Sequence, residues 1–318
     1  MNYRKYMLVI LCTTLLVIGV YPILFFFNLG YQAEGDRHLN EWWEIKEEYA
    51  AEAKSPKILL ISGSNTLFGI DAALMEKELQ MPVVNFGTHA GLNRYVLSRS
   101  QKSLKTGDIV ILPLEYPMYE DNPMEEGYTT YIMGYDTEFF WKLPWYKKIK
   151  FIYKVPSKTL LRYCWQHVKP PVHEDSRYDS KYLNRYGDMT NNSVEHSIPA
   201  QELIKKIPNK VFRQKNIPSQ EAKSEIVEFL AYCRQNDIHV YAAWPAFLWK
   251  EEAFSDEDAE AMENIKRFWD EQGITVLGDY RDSLYDSTMF YDTIYHLNII
   301  GKEKRTTQML SLIRTYGY

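Results

Sequence analysis

The feature that most limits the fold of this sequence is an apolar run near its start, Met7 to Phe27, which contains no charged residue. A helix of 21 residues that rises about 1.5 Å per residue spans the roughly 30 Å hydrocarbon core of a bilayer. The charges on its two sides differ in sign: Arg4 and Lys5 precede it, and Glu34, Asp36 and Glu41 follow it. Basic flanks favour the cytoplasmic side. The sequence therefore predicts a cytoplasmic stub at 1–6, a transmembrane anchor at 7–27 and an extracytoplasmic remainder, that is, a single-pass cell-membrane protein.

A cleaved signal peptide is the competing interpretation of this run. The run is long for a signal peptide, and no Ala-x-Ala-like cleavage site follows it closely. The nearest small residue at a suitable place is Ala33, with Tyr31 two positions before it. We therefore expect the segment to be retained as an anchor.

The composition fits one sizeable domain behind that anchor. Of the 318 residues, 46% are hydrophobic and 15% aromatic, which argues against disorder. The net charge of -5 gives no reason to expect a nucleic-acid partner. Cys12, Cys164 and Cys233 form neither a metal-ligand spacing nor a disulfide framework. A single Cys164 to Cys233 bridge and two separate thiols both stay open.

The segment between anchor and domain, residues 28–55, is charged and helix-permissive. Trp42, Trp43, Ile45 and Tyr49 give it an apolar face. We expect a juxtamembrane linker helix that holds the domain away from the membrane, with the domain itself at 56–318.

Alternating strand and helix signals then predict a parallel sheet with helices on both faces, which is a three-layer α/β/α sandwich. The predicted strands are 57–61, 82–86, 108–114, 238–243 and 274–277, and the predicted helices are 70–80, 92–104, 219–236, 256–272 and 299–313. The pattern lapses at about 116–217, which we interpret as a helical insertion. Sites in such sheets form at the carboxyl ends of strands. Ser64, Gly87, Glu115 and Trp244 all follow predicted strands.

Two segments together predict a serine-based acyl-transfer site. Ser62-Gly63-Ser64 follows the first predicted strand, and Asp292 precedes His296-Leu297-Asn298 near the last predicted helix. A serine hydroxyl is a weak nucleophile until a histidine takes its proton and a carboxylate orients that histidine. Ser64 is the predicted nucleophile, His296 the predicted base and Asp292 the predicted orienting carboxylate.

These segments resemble two sequence blocks of the SGNH (GDSL-like) hydrolase superfamily, whose fold is flavodoxin-like. The first block in that family is Gly-Asp-Ser, and the last is Asp-x-x-His-Leu; here the aspartate lies one residue further from the histidine. The arrangement is most similar to the membrane-anchored bacterial branch. That branch includes the alginate and exopolysaccharide O-acetylation proteins and the D-alanine transfer protein of teichoic acids.

The resemblance implies further site residues. The second block normally gives a glycine N–H to the oxyanion hole, and Gly91, or else Gly87, lies in the matching place; an ordinary turn would also explain either glycine. The third block normally carries an asparagine donor, but Glu115-Tyr116 stands there instead. An ionised glutamate cannot donate, so the second donor is expected to be the Ser64 N–H, Asn65 or a group elsewhere in the chain.

The remaining candidates concern substrate and metal. Glu115, Tyr116, His89 and Trp244 are predicted to contact substrate, although an exposed strand-end carboxylate and a core tryptophan are the simpler interpretations of two of them. The histidines form no metal-ligand spacing, so neither a metal nor a cofactor is expected. Asn184-x-x-Gly187-Asp188 resembles an Asn-x-x-Gly-Asp stretch in the anchored branch and is a candidate to line the cleft, but Gly-Asp also marks simple turns.

Within the insertion, basic and aromatic residues alternate, and no acidic residue lies between Trp141 and Pro171. Three interpretations stay open: a helical pair docked on anionic lipid, a groove that stacks sugar rings, or a solvated helical face with its aromatic residues in the core.

The expected function is acyl transfer, with acetyl as the expected acyl group, onto a cell-surface or secreted polysaccharide or teichoic-type glycan. The resemblance implies a membrane-bound O-acyltransferase partner that delivers acyl groups, because one membrane span cannot carry them across. Two alternatives stay open: a polysaccharide O-acetylesterase with the same triad, and a non-catalytic polysaccharide-binding or assembly component that keeps the fold.

Overall fold

The computed structural model describes residues 3–173, 175–208, 210–248 and 255–316. Its chain forms two compact units: a helical unit of residues 1–40 and 123–176, and a sheet unit of residues 41–122 and 177–318. The segment predicted as an insertion is therefore divided. Residues 123–176 belong to the helical unit, whereas residues 177–217 belong to the unit that contains the sheet.

The α-helices in the described ranges are α1 (Tyr3–Asn28), α2 (Arg37–Glu52), α3 (Ser64–Gly69), α4 (Ala72–Leu79), α5 (Tyr95–Ser100), α6 (Glu126–Tyr135), α7 (Thr137–Lys142), α8 (Trp145–Lys154), α9 (Ser157–Gln166), α10 (Ala200–Lys205), α11 (Gln220–Gln235), α12 (Asp256–Glu271) and α13 (Ile299–Thr315). The strands are β1 (Ile58–Ser62), β2 (Val83–Gly87), β3 (Ile109–Leu112), β4 (His239–Ala243), β5 (Phe247–Leu248), β6 (Val276–Leu277) and β7 (Leu284–Tyr285).

The helical unit is built on α1. This helix is long and apolar enough to cross a membrane by length and composition, and it includes the whole predicted anchor at 7–27. Phe25 is fully buried against Phe140 of α7 and Phe151 of α8, with ring centroids 5.2 and 6.0 Å away. The predicted apolar span is thus confirmed, while its orientation in a membrane stays a prediction.

The sheet unit contains the predicted parallel sheet. Five strands pair in the order β2-β1-β3-β4-β6, and every pairing is parallel. Numbered along the chain, the order within the sheet is 2-1-3-4-5, so the direction of winding reverses beside β1. The α/β class and the parallel sheet are therefore confirmed. A separate pair, β5 and β7, is also parallel.

The central strands are near-continuous apolar runs, because a strand inside a parallel sheet is buried on both faces. Every residue of β1, β2 and β3 is buried. Successive side chains of a strand point to opposite faces, and on one face Ile58 and Leu60 join an apolar core with Met75 of α4 and Met309 of α13. The core thereby fixes the carboxyl ends of β1 and β3, which carry the candidate site.

The part of α2 in the sheet unit is a packed helix, and its expected role of holding the domain away from the membrane stays a prediction. Trp43 is 1% exposed and lies against the rings of Phe86 and Tyr95. Lys46 is fully buried and its Nζ donates to the carbonyl oxygens of Asn85 and Gly187, both at 2.6 Å. The apolar face seen in the sequence is used to cover the sheet unit.

Candidate active site

Ser64 lies where the chain leaves the first strand of the sheet. β1 ends at Ser62, and α3 begins at Ser64. Glu115 follows β3, the neighbouring strand on the side away from β2. Ligand sites of open parallel sheets form at the carboxyl ends of strands where the winding direction reverses. The structure thus brings Ser64 and Glu115 together at the edge that the sequence predicted.

The carboxylate of Glu115 caps the first residues of α3. Its Oε1 accepts the Asn65 N–H at 2.7 Å and the Ser64 hydroxyl at 3.2 Å. The first N–H groups of a helix have no partner within the helix, so a carboxylate is a favourable acceptor there. A Cβ on Gly63 would lie 2.6 Å from Glu115 Cδ. Glycine at 63 is therefore what lets the carboxylate approach this closely.

The environment of Glu115 perturbs its protonation. Burial raises the pKa of this carboxyl group to about 7, although hydrogen bonds from Asn65 and Ser64 act in the opposite direction. Removal from water disfavours the charged form more than the few donors favour it. Both protonation states are therefore accessible near neutral pH, and the protonated form can donate a hydrogen bond.

Asp292 and His296 form a tight buried pair. His296 Nδ1 lies 2.6 Å from Asp292 Oδ1, and both residues are less than a tenth exposed. The other oxygen, Oδ2, accepts from the Tyr178 hydroxyl at 2.7 Å and from Arg177 at 3.3 Å. Burial alone raises the pKa of Asp292, but the bonds from His296, Tyr178 and Arg177 outweigh it and hold the pKa below its usual value. The carboxylate is therefore ionised and fixed.

A compact loop accommodates the extra residue between Asp292 and His296. Thr293 Oγ1 accepts the N–H groups of Tyr295 and His296 at 3.2 and 3.1 Å. The Tyr291 N–H donates to the His296 carbonyl at 2.8 Å and closes the loop. A longer spacing than Asp-x-x-His therefore still produces direct contact between carboxylate and imidazole.

Two contacts bring this loop to the helix that bears Ser64. The imidazole of His296 stacks on Phe68, with ring centroids 4.1 Å apart and planes 14° apart. Phe68 lies four residues after Ser64 in α3, so both occupy one face of that helix. Burial is the main cause of the raised pKa of Tyr295, the neighbour of His296, and the nearby Glu115 carboxylate raises this pKa further. Histidine, serine and glutamate thus converge on one edge.

The described hydrogen bonds do not join Ser64 to His296. The Ser64 hydroxyl bonds to Glu115, and the bonded atom of His296 is Nδ1, which faces Asp292. When neutral imidazole donates its Nδ1–H in a hydrogen bond to a carboxylate, Nε2 keeps the lone pair that accepts a proton. The bond to Asp292 thus fixes the orientation of the imidazole, while the Ser64 hydroxyl is directed to Glu115.

The candidate oxyanion donors are engaged within the chain. The Gly87 N–H donates to Asn85 Oδ1 at 2.8 Å, and the Gly91 N–H donates to His89 Nδ1 at 3.0 Å. A Cβ on Gly87 would collide with the backbone of Leu67, so packing alone requires glycine there. The side chain of Asn65 is also engaged, since it donates to the Pro113 carbonyl at 3.0 Å and lies 2.9 Å from the Ser62 hydroxyl.

The other predicted substrate residues lie in different surroundings. Tyr116 is fully buried against Phe247, 5.2 Å between centroids. Trp244 is 4% exposed and its indole N–H donates to the Gly278 carbonyl at 3.3 Å, which fits the core interpretation. His89 is exposed and begins a short turn. None of these three contacts Ser64 among the described interactions.

Asp188, from the Asn184-x-x-Gly187-Asp188 stretch, is hydrogen-bonded to the elements that surround α3. It is 2% exposed and accepts from the Ala72 N–H at 2.9 Å and from Asn85 Nδ2 at 2.8 Å. Asn85 Nδ2 also donates to the carbonyl of Thr66 in α3 at 2.8 Å. The stretch therefore connects the start of α4, the end of β2 and α3.

Sequence reasoning missed four residues around the pair: Phe68, Arg177, Tyr178 and Tyr295. Phe68 had a usable signal, since it lies one helical turn after Ser64. The others depend on contacts between distant segments. Both oxygens of Asp292 accept hydrogen bonds, and His296 Nδ1 faces this carboxylate.

Comparisons with family models, with curated proteins and with solved structures found no match for this chain. The chemistry assigned to the site therefore rests on its own residues and their geometry.

Proposed function

We propose that this protein is a membrane-anchored, extracytoplasmic SGNH-like acyltransferase that acts on a cell-surface or secreted polysaccharide. The observation that carries the proposal is the buried Asp292–His296 pair, stacked through Phe68 on the helix that begins with Ser64. The 2-1-3-4-5 strand order is also that of doubly wound flavodoxin-like sheets. It supports an α/β/α sandwich of the expected kind.

The proposed reaction has two steps. Ser64 Oγ attacks the acyl carbonyl while His296 Nε2 takes its proton, and the leaving group departs with that proton, which yields an acyl-enzyme. A glycan hydroxyl then loses its proton to His296 and attacks the ester, and Ser64 recovers the proton. Asp292 stays ionised throughout and stabilises the imidazolium. Before the first step, Ser64 Oγ rotates away from Glu115.

Glu115 takes the place of the asparagine donor that the family carries in its third block. In its protonated form it donates to the developing oxyanion, as a carboxylic acid kept neutral by an apolar environment does. The pKa of about 7 supports this role at neutral pH. Glu115 thus acts in its protonated form as a hydrogen-bond donor, and not as an ionised carboxylate.

One observation favours a second candidate, a non-catalytic glycan-binding or assembly component. The Ser64 hydroxyl bonds to Glu115 and not to His296, so Ser64 can be read as part of the cap on α3. Under that alternative the serine is structural and its loss does not remove an activity.

A fluorophosphonate probe tests the proposal on the full-length chain in detergent. We expect labelling of Ser64 that is lost in Ser64→Ala and in His296→Ala. Ser193 is a control serine, because its hydroxyl lies 2.8 Å from His196 Nδ1 in a mostly exposed pair outside the candidate site. Ser193→Ala should label like the wild type.

Absence of labelling, together with full function of Ser64→Ala in cells, would establish the non-catalytic alternative. Incubation of an acyl ester with and without glycan separates the two enzymatic outcomes. Acyl groups that move to glycan indicate a transferase, whereas release into water at the same rate in both samples indicates an esterase.

A further inference from the structure

Helix α8 of the helical unit presents an apolar stripe outward. Trp145, Ile149 and Tyr153, spaced four residues apart, are 73%, 51% and 45% exposed. Phe151, on the opposite face of the helix, is buried, and so is Ile152 at the edge of the exposed stripe. An amphipathic helix of a soluble unit normally buries its apolar stripe. Here a second stripe of the same helix remains on the surface.

Helix α9 repeats the arrangement. Leu161 in the middle of α9, Trp165 near its end and Val168 just after it are 58%, 64% and 79% exposed, while Leu160 and Tyr163 are buried. The outward sides of the two helices also carry the exposed basic residues Lys150, Lys154, Lys158, Arg162 and Lys169. Exposed aromatic residues contradict the interpretation of this segment as a solvated face with its aromatic residues in the core.

The surface is continuous with the apolar helix α1. Tyr153 stacks on Tyr21 with centroids 5.2 Å apart, and its hydroxyl donates to the Ile18 carbonyl at 3.1 Å. Trp141 stacks on Phe26 at 6.0 Å. Helices α7 and α8 therefore lie beside the last third of a helix that is long enough to span a bilayer.

We propose that α8 and α9 dock in the interface of an anionic phospholipid bilayer. Their exposed tryptophan, tyrosine and aliphatic side chains enter the boundary between headgroups and acyl chains, where aromatic residues concentrate. Their lysine and arginine side chains bind anionic headgroups. The surface, defined by residues 145–169, is a second membrane attachment beside α1.

Two features of the segment favour lipid over a glycan. The stretch from Trp141 to Pro171 contains no acidic residue, whereas its basic residues are complementary to anionic headgroups. The apolar stripes also include Ile149, Leu161 and Val168, which offer no ring on which a sugar stacks. The proposal depends on α1 being a membrane helix and does not depend on the acyltransferase chemistry.

Tryptophan fluorescence of the full-length chain in nanodiscs tests the proposal. Bromine-labelled phospholipid quenches indole rings at membrane depth, and α1 contributes none because it contains no tryptophan. In anionic discs we expect Trp145→Phe and Trp165→Phe each to remove part of the bromolipid-quenchable emission, and the double variant the larger part of it. Trp244→Phe is the control: that ring is buried, so its removal should not change the bromolipid-quenchable part of the emission.

Reversal of charge tests the headgroup contacts. Lys150→Glu with Lys154→Glu should reduce bromolipid quenching in anionic discs. Ser64→Ala should quench like the wild type, which separates this proposal from the enzymatic one. Quenching of Trp145 and Trp165 by aqueous iodide, without quenching by bromolipid, would show a water-facing surface and overturn the proposal. Resistance to both quenchers would show a protein-covered surface and also overturn it.

Discussion

Replacing Glu115 with glutamine should stabilise the protein at alkaline pH relative to the wild type. The carboxyl group is fully buried, and its pKa in the folded state is raised to about 7. A carboxyl group whose pKa is raised on folding contributes its stability below its unfolded pKa and loses it as the pH rises through the folded pKa. Wild-type stability should therefore fall across this window, whereas Glu115→Gln has no proton to lose.

The size of the effect follows from the two pKa values. The reference value for the unfolded chain is 4.5 and the folded value is about 7. At roughly 1.36 kcal/mol per pKa unit, the free energy of unfolding of the wild type should fall between about pH 5 and about pH 8 by on the order of 2 to 3 kcal/mol more than that of Glu115→Gln.

Thermal unfolding of the full-length chain in detergent measures this difference. For a domain of this size, the expected extra loss corresponds to a melting temperature lower by roughly 5 to 10 °C. Glu257→Gln is the control, because Glu257 is exposed and the pKa of its carboxyl group is lowered by Lys210, so it should not reproduce the effect. Parallel pH profiles for the wild type and Glu115→Gln would refute the assignment of a raised pKa.

Two further predictions concern the surroundings of Ser64. Gly63→Ala should destabilise the protein by about 1 to 3 kcal/mol, because its Cβ would lie 2.6 Å from Glu115 Cδ. The double variant with Glu115→Ala should be destabilised by less than the sum of the two single variants, because the truncated side chain no longer meets that Cβ. Melting shifts that add up fully in the double variant would contradict the contact. Phe68→Leu keeps an apolar side chain but removes the ring that stacks on His296. Fluorophosphonate labelling of Ser64 should therefore slow by a larger factor than the loss of folded protein, measured from the melting curve, accounts for. Unchanged labelling would argue against a role for the stack.

The sequence was sufficient for the central sheet because its strands are buried on both faces. The runs at 58–62 and 109–112 are almost wholly apolar, and apolar runs of that length between turn residues indicate strands of a parallel sheet. The predicted helices 219–236 and 256–272 match α11 and α12 within a residue or so. The short helix α3 was missed, because six buried residues show no helical period.

The segment 177–217 could not be assigned from its sequence. Its order comes from contacts with distant residues, such as Asp188 with Ala72 and Asn192 with the Leu297 carbonyl. The same reason explains which residues of the candidate site could be predicted from the sequence. Ser64, Glu115, Asp292 and His296 were predicted from motifs and strand ends, but the contact of Tyr178 with Asp292 joins distant segments, and a single sequence does not show that.

The stack of His296 on Phe68 also governs when the site is completed as the chain is made. The ribosome adds Phe68 long before His296, so the segment that contains Ser64 is made more than two hundred residues before His296. Contacts of such large sequence separation form late and slowly. The pairing proposed for Ser64 and His296 therefore becomes possible only when the last segment of the chain has been made.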